Sequence, residues 1–167
     1  SGPVNIEPFL GIDVVNVKSA ADMAEAVAAR SEASDIVVMC SAVADYTPTH
    51  YSAQKVKKSD GELSIPLART TDILHTLGMK KKEGQMLVGF SMETENLIEN
   101  SRKKLSKKNA DIICANTIAD GGATGFAVDT NQVTLITETE VITLPLCTKE
   151  ETADLILSHI VELQKEK

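Results

Sequence analysis

With 167 residues, 43% of them hydrophobic and 25% charged, the chain has the length and balance of one globular domain, 1–167, with enough apolar material for a core. Aromatic residues make up 3% and tryptophan is absent, which excludes the aromatic platform that single-stranded nucleic acid stacks on. The formal charge of −7 excludes a general polyanion surface, and no apolar run is long enough to cross a bilayer. Neither nucleic acid nor membrane is therefore expected as a partner. No signal peptide is visible, so the cytoplasm is the default location.

In chain order, the β-branched run 12–17 reads as a short strand. Residues 19–32 have helical spacing, with Ala20, Met23, Ala24, Val27 and Ala28 on one side and Ser19 and Asp22 at the start as cap and first-turn acid. The continuous apolar run 35–41 reads as a strand covered on both faces. The stretch 42–60 has no periodic pattern and is long for a connection. Its 55–58 end could pair with 62–67 across the turn sequence "SDG". Residues 70–82 read as a short helix capped by Thr70 or Thr71 and ended near Gly78.

A second buried strand, 86–91, leads to a strong helix at 95–109 and a third buried strand at 111–116. The glycine-rich 117–131 is loop-like. Residues 132–137 and 141–146 flank "ETE" as an antiparallel hairpin, and 148–164 closes the chain as an amphipathic helix with Thr148 and Glu151 as a capping box. Alternation of strands and helices predicts an α/β fold built on a mostly parallel sheet, with the hairpin and last helix at one edge.

Ligands of open parallel sheets sit outside the carboxyl ends of the strands. Three such ends, "SAVADYTP", "FSMETEN" and "ANTIADGG", each join small residues to polar ones. Asp45 and Glu93 are the natural ligand-facing carboxylates there. Singly, a turn-organising Asp45 and a helix-capping Glu93 are the simpler readings, and the repetition at three ends favours a site. Neither GxGxxG nor GxxxxGK[ST] is present, so the usual phosphate loops are missing and a nicotinamide-linked dehydrogenase is the least favoured reading.

Cys40, Cys114 and Cys147 show no CxxC spacing, and Cys40 and Cys114 lie in apolar runs, so buried free thiols are expected. His50, His75 and His159 are too scattered for a metal site. Most of the 17 basic residues fall in three clusters: Lys55, Lys57 and Lys58; Lys80 to Lys82; and Arg102, Lys103, Lys104, Lys107 and Lys108. Solvated helix ends and loops explain any one of them. On the 95–109 helix, Leu97, Ile98, Ser101 and Leu105 share a stripe of roughly 100°. Lys104 and Lys108 fall on or beside it, and Lys103 and Lys107 point away. Both stripe lysines belong to the C-terminal part of the helix, which places them at the end of the sheet away from the strand tips.

The segments "AVADYTP", "KVKK", "TTDIL", "LVGFSMETENL", "KKLSKKNADIICANTI", "GFAVDTNQVTLI" and "LPLCTKEETADLILSHI", taken in order, resemble the synthetase part of bacterial phosphopantothenoylcysteine synthetases, enzymes of coenzyme A biosynthesis. The likeness runs from about Ile12 to the end. It implies a Rossmann-like three-layer fold with a flap and CTP-dependent ligation of 4′-phosphopantothenate with L-cysteine through an acyl-cytidylate, with Mg²⁺. It implies a homodimer, fused in the native chain to a flavin-dependent decarboxylase domain.

By position, Asp45 is similar to the family's nucleotide-binding aspartate and Lys55 to its active-site lysine on the flap. Met39, Cys40 and Ser41, Thr71, Asp72, Ile73 and Leu74, and Phe90 match nucleotide-contacting positions. Lys104 and Lys108 match two lysines assigned to CTP. Family domains begin earlier, with a glycine-rich strand-turn-helix and an "SN.SSG" segment. A chain without them is expected to be inactive, or nearly so, alone. The rival readings are a non-catalytic nucleotide-binding or dimerisation α/β module and a ligase of the same fold that uses ATP.

Overall fold

The computed structural model describes residues 1–4, 10–57, 64–117 and 128–165, which divide into two compact units. The smaller comprises Ser1–Val27 and Ala42–Asp72, the larger Ala28–Ser41 and Ile73–Lys167. Helix α1 (Ala20–Ser31) starts in the first and ends in the second. Its start has the expected cap and first-turn acid, and the two bond reciprocally: Ser19 N–H donates to the Asp22 carboxylate at 2.9 Å and Asp22 N–H to the Ser19 hydroxyl at 3.1 Å. Hydrogen bonds from Ser19, side chain first, and from Lys18 hold the Asp22 carboxyl below its ordinary value.

In the smaller unit, β2 (Tyr46–Pro48) pairs antiparallel with β3 (Leu67–Arg69), Tyr46 opposite Arg69. The Arg69 guanidinium lies 5.7 Å from the Tyr46 ring centre, a cation–π distance. The hairpin expected between 55–58 and 62–67 turns on residues that lie outside the described ones. The segment 55–57 is exposed and in no strand, and 58–63 lies outside the described residues. The run 12–17 is also no strand. Among the described residues its backbone bonds to Ser1, whose nitrogen donates to the Val15 carbonyl at 2.6 Å and whose carbonyl accepts from Val17 N–H at 2.9 Å. β-branched composition does not make a strand without a neighbouring strand to pair with.

The larger unit is a five-stranded sheet in the order β1-β4-β5-β7-β8. Strands β1 (Ile36–Met39), β4 (Met86–Glu93) and β5 (Ile112–Thr117) run parallel. The hairpin of β7 (Thr134–Ile136) and β8 (Val141–Thr143) adds two antiparallel strands at the β5 side, as expected. A two-residue ladder joins β6 (Thr130–Asn131) to β9 (Cys147–Thr148). One face of the sheet packs Met86, Val88, Ile112 and Cys114 against Ile156 and Ile160 of α4 (Lys149–Lys165). The other packs Ile113, Ala115 and Ile136 against Leu105 of α3 (Leu97–Lys108) and Leu74 of α2 (Ile73–Lys80). Helix, sheet and helix are the three layers anticipated. The Thr148–Glu151 capping box at α4 is present in both directions, at 2.9 and 3.1 Å. Among the described residues no helix is long and apolar enough to cross a membrane.

Two expectations fail at the open edge. Among the described residues β1 has a single neighbour in the sheet; Ile36, Val37 and Met39 are half-buried, and Val38 and Cys40 are exposed. An apolar run looks the same at an edge and in a centre; the neighbours decide. Cys114, in central β5, is buried as expected, and burial, with the nearby Cys40, pushes its thiol up to about 12.

Two contacts fix the helices and the register. Asp111 precedes β5; its carboxylate accepts Leu87 N–H at 2.7 Å and the Lys81 ammonium at 3.1 and 3.2 Å, while its own N–H donates to the Leu87 carbonyl at 2.8 Å. Both ion-pair side chains are at most 15% exposed. The other contact is at Gly78, where α2 continues to Lys80 instead of ending. A Cβ at Gly78 would sit far inside van der Waals distance of the Lys108 carbonyl oxygen. Gly78 thus serves helix–helix approach, and its own carbonyl accepts Asn109 Nδ2–H at 2.9 Å.

Urea unfolding tests both. Asp111→Ala, which strands the Leu87 N–H and the Lys81 ammonium, should cost about 1–3 kcal/mol. Gly78→Ala should also destabilise, by about 1–3 kcal/mol, against the gain of about 1 kcal/mol that helix propensity alone gives Ala over Gly. A stabilised Gly78→Ala variant would show that α2 and α3 do not meet in this way.

Candidate functional site

The parallel strands of the larger unit point their carboxyl ends the same way, β4 and β5 ending level with one another and β1 stopping earlier, at the level of Gly89. In register, Met39 lies opposite Gly89, Phe90 opposite Cys114, Met92 opposite Asn116 and Glu93 opposite Thr117. Met39 is half-buried at the end of β1, and Cys40 and Ser41 follow it exposed. Phe90 packs its ring partly against the α4-side core. Ile73 and Leu74 open α2 with inward side chains: Ile73 is buried, and Leu74 packs against the core beside Gly89. What these two can offer a ligand is helix-start backbone, not side chain.

At the tip of β4 a polar network joins strand to helix. Glu93 Oε1 accepts the Lys104 ammonium at 2.6 Å and the Ser91 hydroxyl at 2.9 Å, and Oε2 accepts Asn100 Nδ2–H at 3.3 Å. Ser91 Oγ lies 3.2 Å from Ser101 Oγ, which is fully buried. Burial by itself would raise the Glu93 carboxyl. The hydrogen bonds from Lys104, Ser91 and Asn100 and the Lys104 charge outweigh it and hold the group below its ordinary value. Glu93 therefore binds side chains of α3 and is not the helix cap considered from sequence. The residue at the cap position is Asn96, in the left-handed region at φ 51°.

This geometry corrects the placement of Lys104. Helical side chains lean toward the N-terminus of their helix, and a lysine is long, so an ammonium anchored in the third turn of α3 reaches back to the strand tip. Lys108, one turn further on, lies where α3 crosses α2, its carbonyl against Gly78. The structure thus brings Lys104 to the tips and leaves the Lys108 backbone at the helix's far end. The stripe also shifts slightly: Leu97, Ser101 and Leu105 face inward, Lys104 and Lys108 are half-buried beside them, and Ile98 is 47% exposed. Lys103 and Lys107 are exposed, as the wheel predicts.

Ser91, Asn100 and Ser101 were not picked out as functional from the sequence. The signal was there in Ser101, a hydroxyl in the middle of an apolar stripe, which a core accepts only with a partner.

In the smaller unit Asp45 is exposed, its backbone carbonyl accepting Thr70 N–H at 2.9 Å, while the Thr70 hydroxyl donates to the Ala44 carbonyl at 2.6 Å. These bonds fix the backbone at "AVADY". Lys55, Thr71 and Asp72 are exposed. Back in the larger unit, a groove lies against the first turn of α3, walled by Leu97, Ala115, Gln132 and Thr134. None of the residues expected from sequence lines it, and the strand tips are the better candidate because they carry the converging polar groups.

Comparison with known proteins agrees with this fold and extends over nearly every residue. The chain is 45% identical over 168 residues to the coenzyme A biosynthesis bifunctional protein CoaBC of Bacillus subtilis (strain 168), covering 99% of this chain and 41% of that protein. It is 42% identical over 164 residues to a cysteine/cysteine sulfinic acid decarboxylase of an unknown prokaryotic organism, covering 97% of this chain and 45% of that one. The chain therefore spans less than half the length of these curated relatives. The crystal structure of the C-terminal domain of CoaBC matches with a TM-score of 0.80 at 40% identity, over 99% of this chain and 73% of that one. The family of the DNA/pantothenate metabolism flavoprotein C-terminal domain matches residues 1–163, strand tips and α3 network included, and the chain belongs to that family.

Proposed function

We propose that the chain is the synthetase domain of a coenzyme A biosynthetic enzyme and ligates 4′-phosphopantothenate to L-cysteine at the expense of CTP. The observation that carries this reading is the near-complete, 40%-identical match to the C-terminal domain of CoaBC. The strand-tip chemistry supports it: an ammonium is held there, beside backbone that small residues leave open to a ligand.

In this reading the substrate carboxylate oxygen attacks the α-phosphorus of CTP, the bond to the β-phosphate oxygen breaks, and pyrophosphate leaves. The cysteine amine then attacks the acyl carbon, CMP departs and an amide forms. Neither step needs a protein nucleophile; both need aligned reactants and cations near developing negative charge. Met39, Cys40 and Ser41, Phe90 and the start of α2 from Thr71 to Leu74 take the nucleotide, chiefly through backbone. Lys104 and Lys108 are its cationic contacts on α3. Asp45 binds the nucleotide in the smaller unit, and Lys55 is the lysine that promotes the acyl-cytidylate steps.

Mg²⁺ keeps most of its waters and binds through phosphates with one or two carboxylates, so an exposed aspartate such as Asp45 fits it better than a closed cage would. Among the described residues no cluster of three or more such ligands occurs. When bound, the ion neutralises phosphate charge. A homodimer in the cytoplasm completes the proposal. The exposed Val141 and Ile142 on β8, the outer strand of the sheet, suit pairing with a second copy.

The test is pyrophosphate release by the native full-length protein. Turnover should require CTP, 4′-phosphopantothenate and cysteine together, and ATP should not replace CTP. Equal turnover with ATP would sink the nucleotide assignment, and release independent of cysteine would sink the ligase. Lys55→Gln should lower turnover by about a hundredfold or more with CTP affinity and melting temperature little changed. Asp45→Ala should weaken CTP binding by about tenfold or more on calorimetry.

A further inference from the structure

We infer that Glu93 is a positioning residue for Lys104, fixing its ammonium at the carboxyl end of β4 in the place where it meets the bound nucleotide. The inference rests on the reading of Lys104 as a nucleotide contact.

A lysine is a compact charge on a flexible four-carbon stem, and an unanchored one spreads its ammonium over many rotamers. Lys104 is anchored, 2.6 Å from Glu93 Oε1. Glu93 is itself held on both oxygens, by Ser91 at 2.9 Å and Asn100 at 3.3 Å. Ser91 is in turn backed by Ser101 at 3.2 Å. The anchor therefore draws on β4 for Ser91 and Glu93, and on α3 for Asn100 and Ser101. Neighbouring Lys103 supplies the contrast. It pairs with Glu99 at 2.6 Å, but both side chains are about two-thirds exposed, an ordinary pair one helical turn apart.

The Glu93 side chain is 13% exposed, and that of Lys104 44%. Lys104 thus has its anchor covered and its own side chain partly open to solvent, an arrangement that suits a donor kept ready for an acceptor arriving from outside. A surface lysine that merely aids solubility needs no anchor that is itself held by two further donors. A lysine that merely fills the core would not be nearly half exposed.

The experiment is calorimetric titration of CTP with Mg²⁺ into the native full-length protein, its Glu93→Gln, Lys104→Met and doubly substituted forms, with a thermal melt of each. Glu93→Gln keeps an acceptor for Ser91 and removes the charge that holds the ammonium. Each single change should weaken CTP by about tenfold, and the double change by no more than the larger single effect. Glu93→Asp, which keeps the charge and shortens the reach, should fall in between; it also stands in if Glu93→Gln does not fold. Wild-type CTP affinity in folded Glu93→Gln, or losses that add in the double variant, would overturn the inference. A silent Lys104→Met would instead remove the reading of Lys104 beneath it, so the two failures are distinguishable. A lowered melting temperature in Glu93→Gln with CTP affinity unchanged counts against the inference, because that is the mark of a purely structural carboxylate.

Discussion

The register between β4 and β5 is set at their amino ends, where the Asp111 carboxylate takes the Leu87 N–H and the Lys81 ammonium together. From there the parallel ladder runs without interruption to Glu93 opposite Thr117. Side chains alternate along a strand, so a slip of one residue would exchange the two faces. Val88 and Phe90 would leave the α4 side, and Ser91 and Glu93 would turn from α3. The polar tip therefore depends on a carboxylate at the opposite end of the same two strands. That carboxylate is itself nearly buried, tolerable because an ammonium and a backbone N–H satisfy it.

The placement of α3 answers to both ends of the strand. At its C-terminus Gly78 lets α2 approach the Lys108 carbonyl, and Asn109, in the left-handed conformation, closes the helix and donates to Gly78. Nearer its start, Ser101 meets Ser91 inside an otherwise apolar interface. A leucine or alanine there would need no partner. The hydroxyl pair gives up some apolar contact, and what it gives in return is an oriented Ser91, whose hydroxyl donates to Glu93.

The central elements were legible because they are covered on both sides. β4 and β5 are apolar runs, and a strand covered on both faces needs that pattern. The reciprocal caps at Ser19–Asp22 and Thr148–Glu151 were legible because capping is local. The failures share a cause. Residues 12–17 and 35–41 have strand composition, but pairing and burial are settled by neighbours distant in sequence, and among the described residues β1 has one neighbour in the sheet. At the site, helical spacing separated Lys104 and Lys108 from Lys103 and Lys107. It could not report that the Lys104 side chain reaches a full strand end, because that depends on where α3 lies on the sheet.

Within the Lys80–Lys82 and Arg102–Lys108 clusters, several side chains have separate duties. Lys81 holds Asp111, Lys82 donates to the Glu32 carbonyl at 2.8 Å, Arg102 to the Glu138 carbonyl at 3.3 Å, and Lys103 pairs with Glu99. A chain of net charge −7 offers a triphosphate little long-range attraction, and salt screens what exists beyond about 8 Å. Recognition of such a ligand must then come from cations already in place at short range. Glu93 takes some positive potential from Lys104 and returns a fixed position. For an acidic protein that exchange is favourable. A mobile lysine would share its charge with the surrounding carboxylates, whereas an anchored one delivers its free donors to one point in space.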